Sequence, residues 1–423
     1  MSLDWARMKA VVLESDDWGL CAWSPDDQAY RVLADLPEFR GAAGRRYGGS
    51  TLESAADLRR LADLLLEFRG GDGFPPVWQA NTVMAAPDYQ RLSAPAFECD
   101  ALPLIDYPQA PARWARPGLW GEVVAAREAG VWWPELHGLH HLPETTWLRA
   151  LREGADDARR AFEQQSPVCE AVAKGGEYDS AEPLEVRRRN LEGAVQRFRA
   201  LFGRDPTSFC PPDYRWDEAV EAEAEKLDIL TFQGRAERAR SLLPRVRHFL
   251  GRFRFPDFEG TRFYLAPRIA FEPGASGEDH AARLGVEAAH RSIRAAWARQ
   301  QPAILSTHRA NYVQLDPARG AAGLERLREL LGRLAEDQAT FLIDDEVRAL
   351  VTRGWSLRPI GARGALVRSR AEGGQTLRFP APAGVERVAF REGSTGVEEA
   401  RVENGEVVLR CGPGEVLVEW RRA

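Results

Sequence analysis

Seven histidines occur in 423 residues, and three of them fall within five positions, His137-Gly-Leu-His140-His141. Neutral imidazole is the commonest protein ligand for zinc and related cations, and His137 and His141, four apart, share a face where the chain turns helical. Near the start, Lys9-Ala-Val-Val-Leu-Glu-Ser-Asp16-Asp17-Trp-Gly19 ends an apolar run in an acidic pair. Adjacent aspartates repel unless a cation or a shared proton offsets their charge. Asp17, His137 and His141 together make a two-histidine, one-carboxylate set that leaves positions open for water and substrate. Such a set calls for one divalent metal ion, zinc by its donors. Ser306-Thr-His308-Arg309-Ala-Asn311-Tyr312 adds an imidazole, a guanidinium and an amide at the end of another apolar run. Phe209-Cys-Pro-Pro-Asp-Tyr214 contributes a proline-stiffened turn whose backbone N–H groups can face an oxyanion. Asn81 and Asp88 are further polar residues at a strand end.

Each cluster follows a short apolar segment, which reads as a buried strand. The segments are Ala10–Leu13, Val77–Met84, Val131–His137, Thr207–Cys210, Ile229–Gly234, Arg262–Phe271, Ala303–His308 and Thr340–Ile343. Helical periodicity separates them. Leu58, Leu61, Leu65 and Phe68 share a face behind a capping-box spacing at Ser50 and Glu53, and Leu191, Val195, Phe198 and Phe202 precede a stop at Gly203. Further helices are expected over Asp217–Leu227, Ala281–Arg299 and Leu324–Leu334, and up to Arg353. Strands alternating with helices predict an α/β fold, a deformed (β/α) barrel of about seven parallel strands over residues 1–354. Its carboxyl rim would gather the chemistry. From 355 to 423 the periodicity drops to alternation, with strands expected at Gln375–Phe379, Arg387–Phe390, Val407–Leu409 and Val416–Trp420. That predicts a small accessory β-sandwich.

A net charge of −6, with arginine runs interleaved by glutamates, excludes a basic nucleic-acid-binding surface. Five widely spaced cysteines without a CxxC pair indicate reduced thiols. With no apolar span of 18 residues and no secretory signal pattern, no membrane association and a cytoplasmic location are expected.

In this order, the four motifs resemble the metal-dependent polysaccharide deacetylases of carbohydrate esterase family four, the NodB-like barrels. The resemblance spans roughly residues 9–350, and Arg268-Ile-Ala-Phe-Glu-Pro273 with His308-Arg-Ala-Asn-Tyr312 is closest to a divergent bacterial branch linked to surface polysaccharides. It implies that Asp16 is the catalytic base and that Asp17, His137 and His141 ligate the metal. It also implies a backbone N–H near Tyr214 for the oxyanion, His308 as general acid and a carbohydrate substrate. The sequence departs from the family at three points. Gly138 stands where the histidine motif has Ser or Thr; Cys210 stands where an arginine would orient the base, and Asp213 intervenes before Tyr214. The Asp-x-x-x-Trp segment that tunes the family's acid histidine has no counterpart. Arg215, Arg268 or Arg309 are the arginines able to replace the missing one. Trp18, Arg268, Arg309 and Asn311 are expected to contact substrate, with Trp132 and Trp133 as further stacking candidates.

The expected reaction is removal of an N-acetyl group from an amino sugar or a surface-polysaccharide precursor. Three other readings remain open. One is hydrolysis of another C–N bond or of an O-acetyl ester on the same barrel. Another is a glycosidase pairing Asp16 with Glu135, Asp213 or Glu272. The last is a catalytically inactive carbohydrate-binding protein.

Overall fold

The computed structural model describes residues 3–92, 96–99, 101–234, 255–274, 282–362, 364–370, 374–390 and 396–422. Nine parallel strands make the core: β1 (Ala10–Trp18), β2 (Trp78–Thr82), β3 (Trp132–Leu136), β4 (Ser208–Phe209), β5 (Thr231–Phe232), β6 (Arg262–Tyr264), β7 (Arg268–Ala270), β8 (Ala303–His308) and β9 (Thr340–Leu342). They hydrogen-bond in the order β7-β8-β1-β2-β3-β4-β5-β6, followed by the antiparallel Asp257–Glu259. β9 pairs with the first residues of β1, and β2 takes up the same edge of β1 from Leu13 onward. Among the described residues the path does not close between β6 and β7, so the sheet is barrel-like. The expected strand Arg262–Phe271 is in fact two short ones, with Pro267 just before β7. Proline cannot donate to a ladder, and the break lets β7 pair with β8 rather than continue beside β5.

Burial explains why the strands read as continuous apolar runs. Ala10 to Leu13 and Ala303 to Leu305 have no exposure at all, because helices cover the outside while side chains fill the interior. The helix Ala55–Leu66 turns Leu58, Leu61 and Leu65 onto the sheet. Its capping box is Ser54 with Asp57, one turn later than Ser50 and Glu53. Glu53 is occupied elsewhere: it accepts from the Gly19 amide at 3.1 Å and from Arg309 Nη1 at 2.8 Å. The 19-residue helix Leu184–Phe202 ends at Gly203 in the left-handed conformation.

After the helix Asp344–Arg353, Gly354 (φ 75°) turns the chain into an antiparallel unit. Trp355–Ile360, Gly364–Ser369, Val385–Phe390 and Gly414–Arg422 form one sheet, and Gln375–Pro380, Val397–Glu403 and Glu406–Cys411 the other. Val367, Leu377, Val407, Leu409, Val416 and Val418 fill the space between. Three of these seven strands, Trp355–Ile360, Gly364–Ser369 and Val397–Glu403, lie outside the expected set. Arg368 of this unit reaches into the barrel, pairing with Glu346 and, at 2.7 Å, with Asp72; all three are buried. No helix among the described residues is long and apolar enough to cross a membrane.

Candidate active site

Because the nine strands are parallel, their carboxyl ends share one rim, and every motif residue arrives there. Asp16 and His308 are register partners across β1 and β8. Alternation would send Asp16 and Asp17 to opposite faces. The strand continues through both to Trp18, and the reversal is made by Asp17 itself, at φ 74° within a register shift between Ser15 and Trp18. Such a bulge re-aims one side chain at the cost of local strain. Both carboxylates then face the site.

Asp16 is buried and surrounded by donors. Asn81 Nδ2 donates to Oδ1 at 2.6 Å, and Arg268 grips both oxygens, Nη2 to Oδ1 at 3.0 Å and Nη1 to Oδ2 at 3.1 Å. The Tyr214 hydroxyl donates to Oδ2 at 3.2 Å, and His308 Nε2 lies 3.9 Å from Oδ2. Burial opposes ionisation, but Arg268, then His137, His308 and Asn81, hold this carboxyl below its ordinary range. Of Arg215, Arg268 and Arg309, Arg268 is the one that reaches Asp16. Cys210 Sγ sits 3.4 Å from Arg268 Nη1, small enough to let the guanidinium in from β7.

Asp17 Oδ1 stands 3.4 Å from His137 Nε2 and 3.6 Å from His141 Nε2. Ligands about 2.1 Å from a tetrahedral cation stand about 3.4 Å apart, so the three donors fit a zinc-sized divalent ion. His137 Nδ1 is committed to the Cys210 carbonyl at 2.7 Å, which leaves Nε2 as the free ligand atom. A second group, Asp16, His137 and Cys210, also lies close together, but the Arg268 guanidinium already fills it. Asp17, His141 and His308 are about a fifth exposed, whereas Asp16 and His137 are buried, so the mouth opens over the first three.

The loop carrying the histidines is held by Glu177, a residue that motif reading misses. Its carboxylate accepts from the amides of Leu139 (3.0 Å), His140 (3.3 Å) and His141 (2.8 Å). This also accounts for Gly138. Its φ is +87°, and a Cβ there would meet Glu177 Oε2 at 2.6 Å and Pro212 Cγ at 2.9 Å. His140 faces inward, 3.4 Å from Glu144 and 3.2 Å from Asn190, and braces the loop.

His308 has a carboxylate partner. Its Nδ1 is 2.5 Å from Glu272 Oε1, and Glu272 is fixed by Asn311 Nδ2 (2.6 Å) and by Arg46. Burial pulls the His308 pKa down, but Glu272 overrides it, with Asp17 and Asp16 adding, and raises it to about 9. Glu272, two residues after β7, is thus the carboxylate that holds His308.

Several expected contacts are corrected. Trp18 is buried against Trp132 with its indole N–H on Ser15, so it presents no face to a sugar. Trp133 is stacked under Arg204. Arg309 is buried in its pair with Glu53, tying the loop after β1 to β8. Asn311 is turned to Glu272, and Arg268 to Asp16, so both position other residues. The Tyr214 amide donates to Pro211 O at 3.1 Å, which removes it as an oxyanion donor; it is the hydroxyl that enters the site. Arg215 turns away to Lys174 O and Asp179. Of the carboxylates named for a glycosidase, Glu135 is buried against Thr207 and Ser208, Glu272 is committed to His308, and Asp213 lies at the mouth, 3.8 Å from His141.

No protein-family model and no curated protein matches the sequence. Among solved structures, a Mycobacterium smegmatis protein provisionally named a polysaccharide deacetylase aligns over 81% of this chain and 90% of its own, at 13% identity and TM-score 0.40. Agd3, a novel carbohydrate deacetylase, aligns over 97% of this chain and 65% of its own, at 9% identity and TM-score 0.35. A CE4 family pseudoenzyme from Bacillus anthracis aligns over 79% of this chain and 64% of its own, at 9% identity and TM-score 0.32. This chain thus spans about two thirds of the length of the last two.

Proposed function

We propose that the protein is a metal-dependent hydrolase that removes an N-acetyl group from an amino sugar or a surface-polysaccharide precursor. The observation that carries this reading is the three-donor set of Asp17, His137 and His141 placed beside Asp16 and His308. A divalent cation held there would polarise the acetyl oxygen and lower the pKa of a water. Asp16, ionised and locked by Arg268, Asn81 and Tyr214, accepts the proton of the attacking water. His308 Nε2, on the neighbouring strand, donates a proton to the departing nitrogen while Glu272 stabilises the imidazolium. An amine leaves only once protonated, and an imidazole with a pKa raised to about 9 still holds its proton at neutral pH. That favours an amide over an acetyl ester. Of the carboxylates a glycosidase could pair with Asp16, Glu135 and Glu272 are committed to other partners, and Asp213 at the mouth is the one left.

The test is acetate release from N-acetylated amino-sugar oligomers by zinc-loaded protein. Release that stops with a chelator, returns with zinc and disappears in Asp16→Asn supports the reading. Reducing-end release without acetate, or no hydrolysis at one equivalent of bound zinc, refutes it.

A further inference from the structure

Two buried carboxyl groups, Asp16 and Glu14, converge on the Arg268 guanidinium, and a third, Asp344, lies beside Glu14. Glu14 lies two positions before Asp16 on the same face of β1, and Asp344 opens the helix after β9; neither has any exposure. Arg268 spends both terminal nitrogens on Asp16, while its Nε stands 2.6 Å from Glu14 Oε2, off the line of a hydrogen bond. Asp344 is held by Gln79, whose Nε2 donates to Oδ2 at 2.6 Å and whose Oε1 accepts the Asp344 amide at 3.0 Å. Both Glu14 oxygens and Asp344 Oδ1 are left without a well-aligned donor, although the Ser208 hydroxyl reaches Asp344 and the two carboxyls lie within hydrogen-bonding reach of each other. Buried oxygens are almost always paired, and two carboxylates can pair only through a proton. One cation among three buried anions leaves two uncompensated negative charges, and a shared proton removes one of them.

We propose that Glu14 and Asp344 share one proton, donated by Glu14 to Asp344 Oδ1, so that the charge of Arg268 remains with Asp16. The other groups facing the pair are the Cys210 thiol, Ser208 and the Glu135 carboxylate. Burial, reinforced by the Asp344 charge, pushes Glu14 well above the carboxylate range. Burial also lifts Asp344 to about 6, against the Glu14 hydrogen bond. At neutral pH the pair therefore keeps one proton. Glu14 and Asp344 are positioning residues: they touch neither substrate nor cation, and act by deciding how Arg268 is shared.

The test is infrared spectroscopy of the carboxyl region across pH, on the purified full-length protein with and without zinc. The wild type should show a protonated-carboxyl carbonyl band at neutral pH. The band should vanish in Glu14→Gln, where a neutral group replaces a neutral one. It should also vanish in Asp344→Asn, where Glu14 ionises against Arg268. The acid limb of the rate profile should stay in place in Glu14→Gln and move to higher pH in Asp344→Asn, where Arg268 is drawn from the base. Absence of the band in the wild type, or its persistence in Glu14→Gln, overturns the inference. If either variant fails to fold, the wild-type titration still decides, since a band lost below neutral pH overturns the inference and one kept through it supports it. The kinetic arm rests on Asp16 being the base, but the band does not. A protein that shows the band and releases no acetate keeps this inference and loses the deacetylase reading.

Discussion

Glu272→Gln is the most informative single change, because it removes a charge while leaving a side chain of the same shape. In the wild type Glu272 Oε1 lies 2.5 Å from His308 Nδ1 and is the first of the causes that raise the imidazole pKa to about 9. A free imidazole titrates near ~6.5. Asp17 and Asp16 still favour the imidazolium in the variant, but burial, the largest influence, and Arg46, now unpaired, oppose it, so the pKa should fall to about 6.5 to 7.5. At pH 8 the wild-type imidazole is about 90% protonated and the variant about 3–25%. That predicts a ~4- to 30-fold loss of kcat/KM at pH 8 and almost none at pH 6. Linkage gives a second readout. His308, raised when folded, contributes stability that is complete below about 6.5 and lost as pH rises through about 9. Glu272, lowered when folded, contributes above about 4.3 and loses that as pH falls. The melting-temperature difference between wild type and variant should therefore be largest from about pH 4.3 to 6.5 and shrink by pH 9. Acetate release and thermal unfolding across that range measure both. An equal loss of rate at pH 6 and pH 8 would refute the reasoning, since a structural defect lowers activity without moving a titration.

Four other changes test the remaining roles. Asp16→Asn should retain the metal and lose ~10²–10⁴ in rate, whereas Asp17→Asn should lose metal and regain activity in excess zinc; metal content and rate together decide, and the opposite pattern reverses the assignments. Glu177→Gln removes the anion that gathers three loop amides, and should weaken zinc affinity about 10-fold or more without touching a ligand; a competition titration with a chromogenic chelator measures it. Arg368→Ala strands Asp72 and leaves Glu346 to Arg358 alone, and should destabilise the barrel by about 3–5 kcal/mol in denaturant unfolding while leaving metal content unchanged.

What was legible in the chain follows from the range over which each signal acts. Apolar runs ending in Asp16-Asp17, His137 and His308 report strand ends directly, because parallel strands buried on both faces must be apolar and must release their polar residues at the rim. The two-histidine spacing was readable for the same reason. The bulge at Asp17 was not, because an aspartate at positive φ has no local sequence mark. Glu53 and Ser50 have capping-box spacing, but the long-range pair with Arg309 claims Glu53 and shifts the cap to Ser54. Trp18 and Arg309 stood beside catalytic residues in sequence, and that adjacency misled. Trp18 ends its strand with the ring turned to the packed core, and Arg309 begins the single turn after β8, where its guanidinium is taken by Glu53.

Arg268 and Glu272 show the complementary case. Both belong to one short strand and its exit, more than 50 residues after Cys210, and neither matches the motif whose place it fills. A barrel rim makes this exchange possible. Every parallel strand delivers its carboxyl end to the same ring, so a guanidinium can reach Asp16 from β7 as readily as from β4, provided the β4 position shrinks to admit it. Cys210 meets that condition: its thiol contacts the incoming guanidinium, and an arginine side chain there would collide with it. Gly138 meets the matching condition for Glu177, whose carboxylate fills the space that a Cβ would take. Each of these two small residues thus stands against a larger side chain, Arg268 or Glu177, that uses the space to hold Asp16 or the histidine loop.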